Sequence, residues 1–154
     1  MTQEGKSDDD FTRPLTVFGK VPEARYKGDT APDGKRHGHG TMHYAEGRVY
    51  SGDWYLDKMH GYGTITFPSG NTYTGEFQND KKHGYGVFVF PDGYIYDGNY
   101  VDDMKEGFGT YYWPDGSAYQ GGWRQNKKHG EGVMRHADTG QTERSLWDNG
   151  NPIN

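Results

Sequence analysis

Four histidines recur along the chain at multiples of 23 residues, and imidazole is a common metal ligand and proton carrier. They are His37, His60, His83 and His129. If each repeat supplies two strands, neighbouring histidines lie about 9–10 Å apart, too far for one ion with ligands at ~2 Å. We therefore expect each histidine to cap a hairpin loop beside an aromatic ring, and we predict no metal site and no cofactor.

Motifs that carry nucleophilic or phosphate chemistry are absent from the sequence. There is no Gly-x-Ser-x-Gly, no phosphate loop, no dinucleotide fingerprint and no cysteine. Carboxylates such as Asp53 and Glu76 recur at one repeat position, and we expect them to hydrate a polar face. The sequence therefore predicts a protein that is not an enzyme and has no catalytic residues.

A second recurring group is basic. On one sheet edge, lysines would form a ladder that attracts acidic lipid headgroups by about 1 kcal/mol per charge. The members of this predicted lysine edge are Lys58, Lys81, Lys82, Lys105, Lys127 and Lys128. Aspartates such as Asp57 and Asp80 share the same loops and cancel part of the field. An adaptor that contacts membranes or phosphoinositides is therefore the second functional hypothesis.

Composition restricts the fold that can position these residues. Of 154 residues, 25 are glycine and 16% are aromatic, whereas only 31% are hydrophobic. This balance favours a thin sheet held by ring contacts, and so much glycine disfavours long helices. The net charge of −5 argues against nucleic-acid binding. No apolar run approaches the ~18 residues of a membrane span, and we expect a cytoplasmic protein.

The strongest signal is a motif, Tyr-x-Gly-x-aromatic, followed ten residues after its tyrosine by a segment of the type His-Gly-x-Gly. It returns every 23 residues, beginning at Tyr50, Tyr73, Tyr96 and Tyr119. From about residue 26 to residue 147 this pattern closely resembles the MORN repeat. The departures are Thr30 for the strand aromatic, Glu106 for histidine and Glu143 for the last tyrosine.

The resemblance implies an all-β fold, an elongated single-layer antiparallel meander of tandem β-hairpins. It also implies a non-catalytic structural or scaffolding protein that binds other proteins. Proteins with MORN repeats are often cytoskeletal, and small ones resemble components of cilia, flagella and axonemes. On this analogy we expect the chain to act in a cytoskeletal or ciliary assembly.

Alternation of residue types predicts the same sheet without the family. Strands are expected near 71–77, 84–90, 94–100 and 107–113. Pro-x-Gly segments between some of them are typical of three-residue hairpin turns, because proline presets φ and glycine takes the left-handed position. The other connections, such as residues 78–83, are predicted to be longer polar loops.

Aligning the strands predicts a groove. Placing Phe90 opposite Tyr94 brings Gly86 and the other strand glycines into one row, and placing Phe77 opposite Gly84 continues that row. Because a glycine row marks close approach by rings or backbone, we predict an aromatic-walled groove that binds a helix or an extended segment of a protein partner. The predicted groove residues are Tyr50, Trp54, Tyr73, Phe77, Phe88, Tyr96, Tyr100, Tyr111, Tyr119 and Trp123. Pairing of two chains into a homodimer or a larger assembly is a further option.

The chain divides into four predicted segments. Residues 1–14 are polar and acidic and are expected to be a disordered tail. Residues 15–25 would form an N-terminal capping strand over the first sheet edge. Residues 26–147 would form about five repeats and a C-terminal half repeat, and residues 148–154 a tail.

Overall fold

The computed structural model describes residues 23–153, which form one antiparallel sheet of twelve strands in sequence order. The all-β, single-layer meander predicted from the sequence is confirmed. Within the described range no helix is long and apolar enough to cross a membrane. The strands are β1 (Arg25–Thr30), β2 (Arg36–His43), β3 (Val49–Tyr55), β4 (Lys58–Thr66), β5 (Thr72–Gln78), β6 (Lys81–Val89), β7 (Ile95–Val101), β8 (Met104–Tyr112), β9 (Ala118–Arg124), β10 (Lys127–Arg135), β11 (Thr142–Asp148) and β12 (Asn151–Ile153).

The Pro-x-Gly turns fix the register between pairs of repeats. The amide of Phe90 donates to the carbonyl of Tyr94 at 2.9 Å, and Gly93 adopts a positive φ of 99°. The predicted alignment across this turn is confirmed, since Gly86 pairs with Gly98. A three-residue turn with a left-handed glycine is compatible with the right-handed twist of the flanking strands, so it sets the pairing from local chemistry.

The connection within a repeat is shorter than predicted. Residues 78–83 are not a long loop: Asn79 and Asp80 form a two-residue turn with positive φ at both positions, 49° and 68°. This geometry is that of the hairpin turn favoured by Asn and Asp. As a consequence Phe77 pairs with Lys82, and not with Gly84 as predicted.

A bulge absorbs the extra residues. Between the pairs Gly75–Gly86 and Phe77–Lys82, one residue of β5 faces three residues of β6. Gly84 lies in this bulge with φ of 70°, a value that favours glycine. The glycine row continues across the sheet because the bulge restores the register beyond it.

The structure describes the predicted C-terminal tail, except its last residue, but little of the predicted N-terminal segments. The predicted disordered tail (1–14) and most of the capping strand (15–25) lie outside the described residues, and Arg25 opens β1. Residues 151–153, predicted as part of a tail, form β12, in which Ile153 pairs with Leu146. The array of strands therefore extends past residue 147.

The two faces of the sheet are packed differently. One face, here called the tyrosine face, carries the fully buried rings Tyr50, Tyr73, Tyr96 and Tyr119. The other, here called the opposite face, carries hydroxyls such as Thr64 and Thr74, whose oxygens lie 3.0 Å apart, together with the strand carboxylates Asp53 and Glu76. The core of the protein is thus one side of a single sheet.

Candidate interaction surfaces

Each buried tyrosine covers glycines on two strands. The Tyr73 ring lies over Gly75 and Gly86, which are paired across β5 and β6, and a Cβ at Gly86 would overlap the ring. The phenol of Tyr73 donates to the carbonyl of Glu76 at 2.7 Å. The same bond to the carbonyl three residues ahead recurs at Tyr50. Glycine is required here because the ring occupies the space of a side chain.

Aromatic contacts join these tyrosines into a ladder. The Phe77 ring packs edge-on against Tyr73 on its own strand and against Tyr50 of the preceding repeat, with centroids 5.0 and 5.1 Å away. Tyr100 repeats the arrangement with Tyr96 and Tyr73. Edge-to-face pairs of this kind contribute beyond their buried area. Burial raises the pKa of the Tyr73 and Tyr96 phenols well above 10.0.

The side chains that were predicted to wall an open groove therefore pack against one another and fill that space. Eight of the ten predicted groove residues are at most 7% exposed: Tyr50, Trp54, Tyr73, Phe77, Tyr96, Tyr100, Tyr119 and Trp123. They form the core, and a partner in this conformation has no access to them. Only Phe88 and Tyr111 are half-buried. The prediction of an open groove is corrected for the other eight, because the sequence pattern did not show that each tyrosine folds along its strand.

Beside the filled rows lies an open aromatic strip. Its rings stand next to the Pro-x-Gly turns and contact one another, with Phe88 and Phe90 centroids 4.7 Å apart and Tyr111 and Trp113 centroids 5.0 Å apart. The strip consists of Phe67, Phe88, Phe90, Tyr94, Tyr111 and Trp113, all half-buried. Sequence reasoning missed Tyr94 and also Phe67, Phe90 and Trp113, although the 23-residue spacing of the last three next to a turn was visible.

The predicted lysine edge divides between the two faces. Lys82, Lys105 and Lys128 fold onto the rings of the tyrosine face, and the Lys105 nitrogen lies 5.0 Å from the centroids of the Tyr111 and Trp123 rings. Cation–π attraction favours this placement. Burial lowers the pKa of Lys105 and that of Lys128 below 10.5.

Only half of that edge faces solvent. Lys58, Lys81 and Lys127 are exposed on the opposite face, where the equivalent position in the fourth repeat is Met104. Three lysines interrupted by a methionine make a weaker basic surface than the six predicted from the sequence. Lipid contact by this edge stays a prediction.

The loop aspartates link successive repeats. Asp57 accepts hydrogen bonds from the backbone amide of Arg36 at 2.8 Å and from its guanidinium at 3.1 Å. These bonds lower the pKa of the Asp57 carboxyl. Asp80 and Asp103 accept the equivalent amides one and two repeats later. Their role is structural, which explains why they share loops with the lysines.

The repeated histidines also have a structural environment. The His37 ring lies 5.1 Å from the Tyr55 ring, and its Nδ1 accepts a bond from the amide of Leu56 at 3.3 Å. Glu106, which replaces histidine in one repeat, accepts the equivalent amide of Gln125 at 3.0 Å. Within residues 23–153 no three His, Cys, Asp or Glu side chains converge on a metal position. His129 accepts the amide of Asn149 in the same way, whereas the Nδ1 of His83 is buried and accepts no hydrogen bond, so the acceptor role holds for some repeats only.

A row of exposed aromatics on the opposite face was not predicted. Tyr62, Tyr85 and Phe108 are 57%, 49% and 56% exposed. Each is the variable residue of a Gly-x-Gly segment, so its side chain points away from the glycine row. The signal was present in the sequence, because alternation places this residue opposite the glycines.

The repeat geometry agrees with a comparison to known families. The model of the MORN repeat matches five times, at residues 33–47, 50–72, 73–93, 96–118 and 119–141. The chain belongs to the MORN-repeat family. MORN repeats suggest a role in protein interaction or scaffolding, and MORN-repeat proteins are generally non-catalytic.

Other comparisons are less close. No curated protein matches the MORN-repeat chain. Among solved structures, the chain is similar to the SAS-4 (dCPAP) TCP domain of Drosophila melanogaster, solved in complex with a proline-rich motif of Ana2 (dSTIL). The identity is 15%, the TM-score is 0.41, and 74% of this chain and 73% of that chain are covered.

Proposed function

We propose that this MORN-repeat protein is a non-catalytic scaffold that binds a protein partner through the open aromatic strip of its tyrosine face. The observation that carries the proposal is the single-layer architecture. Six half-buried rings stand side by side in the strip, and no second layer covers them within the described residues. Contiguous apolar surface of this kind usually marks an interaction site.

The cations beside the strip define the partner's chemistry. Among the described residues, Lys82 is paired with Asp103 at 3.5 Å, whereas no ion pair is formed by Lys105 or Lys128. Asn126 replaces aspartate next to Lys105. A helix or an extended segment with apolar and acidic side chains would supply both the missing layer and the missing carboxylates. We place this partner in a cytoskeletal or ciliary assembly, as the family resemblance implies.

The test compares the strip with the solvent-exposed lysines. Phe88→Ser combined with Tyr111→Ser should abolish capture of the partner by the full chain, and capture by wild type should survive added salt. Lys58→Glu, Lys81→Glu and Lys127→Glu together should leave capture unchanged. The measurement is quantitative pull-down with mass spectrometry, with acidic-liposome sedimentation in parallel. Val89→Ser is the matched control, since Val89 is an exposed residue of the opposite face on the same strand.

The opposite result would favour the membrane hypothesis. If the triple lysine variant loses its target while the aromatic variant keeps it, the strip is not the binding surface. Binding of wild type to acidic liposomes, lost on charge reversal, would assign the lysine edge to lipid. Proximity labelling from the tagged chain in ciliated cells tests the location, and enrichment of membrane proteins without cytoskeletal ones would contradict it.

A further inference from the structure

The exposed aromatics of the opposite face lie in one straight row across the strands. Tyr62, Tyr85 and Phe108 occupy the same position of β4, β6 and β8. They are separated by one intervening strand each, and two strand spacings are about 9.6 Å. The three rings therefore form a regular series on a surface that is distinct from the tyrosine face.

Polar acceptors fill the gaps in this row. Glu76 pairs with Tyr62 across β4 and β5, and Asn99 pairs with Tyr85 across β6 and β7. Asp53 continues the row before Tyr62, accepts the Tyr62 amide at 3.0 Å, lies 3.4 Å from the Nδ1 of His39 and keeps half of its side chain exposed. Glu76 accepts the Tyr85 amide in the same way and is also exposed. The row thus alternates rings with acceptors, and two of these acceptors are carboxylates.

A neighbouring carboxylate holds the central ring of the row. The Tyr85 hydroxyl donates to the Asp97 carboxylate at 2.6 Å, which ties the ring to the adjacent strand β7. Beyond Phe108 the row leads into an open cleft of about 570 Å³, lined also by Glu131, Leu146, Ile153 and the cation Arg144, so the basic side chains of a ligand are expected at the other end of the row. A ligand lying along the row would therefore meet a fixed central ring, Tyr85, and end in a concave surface.

The spacing of the rings selects one backbone conformation. A polyproline II helix advances about 9.3 Å in its three-residue turn, close to the ring spacing. An α-helix returns to the same face after seven residues and about 10.5 Å, and therefore drifts by nearly 2 Å over two intervals. An extended strand presents one face at every second residue, about 6.7 Å, and matches no ring interval.

We propose that this row is a second binding site, for a proline-rich segment in the polyproline II conformation that carries arginine or lysine. Prolines pack between the rings, since aromatic-lined grooves suit this preformed helix. The basic side chains reach Glu76 and Asp53, whose charge is complementary. The site lies on the face opposite to the aromatic strip, so one chain engages two partners at once.

The test uses defined peptides and the full chain. A fluorescein-labelled peptide of about twelve residues built from Arg-Pro-Pro repeats spans the row. Fluorescence anisotropy should show saturable binding to wild type and at least about tenfold weaker binding to Tyr85→Ser, as expected for a central aromatic contact. Tyr55→Ser is the matched control, because Tyr55 is an equally exposed tyrosine of the same face outside the row, and its affinity should be unchanged. Tyr85→Phe keeps the ring and should stay within about threefold of wild type.

Peptide controls separate the contributions. Glu-Pro-Pro repeats should fail because of charge, and Arg-Gly-Ser repeats should fail because they are not preformed in the required helix. The proposal is overturned if wild type does not bind the Arg-Pro-Pro peptide, if either control peptide binds as tightly, or if Tyr85→Ser behaves like Tyr55→Ser. Amide chemical-shift mapping on wild type needs no variant, and shifts centred on Phe88 instead of Tyr85 would also overturn it. Phe88→Ser with Tyr111→Ser should leave peptide binding intact, so this proposal and the strip proposal fail separately.

Discussion

The middle of the array and its last long strand share one pairing pattern but differ in burial. Tyr73 of β5 pairs with Phe88 and is fully buried over its glycines. At the equivalent pairing position of β11 stands Glu143, which is exposed, and the glycine position is taken by Ser145. The strand pairs in register all the same. Pairing is therefore set by the turns, whereas burial requires a tyrosine and a glycine row together.

A substitution in the glycine row should give the largest difference in stability between the middle of the array and β11. Gly86→Val puts a branched side chain where the Tyr73 ring lies, and this fully buried ring is packed on its other sides by neighbouring rings. We expect loss of the folded array, measured as loss of the cooperative thermal transition. Ser145→Ala in β11 should cost only about 1 kcal/mol, because no tyrosine covers that position and the change removes one hydrogen bond, which the Ser145 hydroxyl accepts from the Trp147 Nε1 at 2.7 Å.

Thr74→Val is the control within β5. Its side chain lies on the opposite face and loses one half-exposed hydrogen bond to Thr64, a cost of about 0.5–1 kcal/mol. Equal melting temperatures for Gly86→Val and Thr74→Val would show that the assignment of faces is wrong.

Stability should decrease at alkaline pH because the buried tyrosines of the middle strands ionise on unfolding. β11 contains no tyrosine and should not contribute to this decrease. Burial raises the pKa of Tyr50, Tyr73, Tyr96 and Tyr100 above the ordinary 10.0, so their stabilising contribution is complete below pH 10 and is lost as the pH rises above it. Each such phenol contributes a slope of about −1.4 kcal/mol per pH unit. Urea denaturation between about pH 9 and pH 11 measures the slope.

A variant sharpens the alkaline prediction. Tyr96→Phe removes one titrating phenol and its bond to the Asn99 carbonyl at 2.8 Å. The variant should be less stable than wild type at neutral pH. Above pH 10 its free energy of unfolding should fall less steeply with pH, because one phenol fewer releases a proton on unfolding. A stability curve that is flat up to pH 11 would contradict the burial of these rings.

Ring truncation should show the next largest difference between the two regions. Phe77 is 4% exposed and contacts two tyrosines, so Phe77→Ala should cost about 3–5 kcal/mol. Trp147 occupies the matching row position in β11 but is only half-buried; it packs edge-on against Tyr119, with centroids 6.0 Å apart, and the Lys128 amine lies 4.5 Å from its ring centroid. Trp147→Ala should cost about half as much. Chemical denaturation of both variants checks this, and equal losses would mean that the last strands are as tightly packed as the middle.

Much of the sheet could be predicted because local chemistry dictates it. The turn that contains Gly93 fixed the alignment of β6 and β7, and the repeated glycines marked their own row. The two-residue turn at Asn79 and Asp80 was missed, since its polar neighbours resemble a loop. Both residues tolerate positive φ, and that preference was the available signal.

The interaction surfaces were harder to predict than the strands. Whether a ring such as Tyr73 stands beside a glycine row or lies on it depends on its rotamer, which the alternation pattern does not specify. Lys81 and Lys82 look equivalent in sequence, yet alternation and the bulge direct them to opposite faces. The rotamer is set by side-chain packing across three strands, which a single-strand pattern does not contain. The two directions of the lysines follow from alternation once residues 81 and 82 are assigned to a strand and not to a loop.

The smallest change in stability is expected when the lysines that pack against the rings are replaced, and two repeats differ here as well. Lys82 has an ion pair with Asp103, whereas Lys105 is surrounded by rings and has Asn126 at the corresponding place. Met59 fills the equivalent position two repeats earlier and is buried. Lys105→Met should therefore be neutral or stabilising by up to about 1 kcal/mol, because it removes the cost of burying an amine. Lys82→Met should be destabilising by about 0.5 kcal/mol, because it removes a partly exposed ion pair.

The pH dependence of the Lys105 effect tests its cause. Burial holds the pKa of Lys105 in the folded chain below the ordinary 10.5, which applies to the unfolded chain. Between the folded-state and unfolded-state pKa values, the unfolded chain therefore binds more protons than the folded one. The free energy of unfolding of wild type therefore increases as the pH rises through that window. The amount by which Lys105→Met is more stable than wild type should decrease over the same window. Urea denaturation of wild type and Lys105→Met at neutral pH and at about pH 9.5 measures this difference. If Lys105→Met is instead less stable than Lys82→Met at both pH values, cation–π attraction to the three surrounding rings outweighs the burial of the charge.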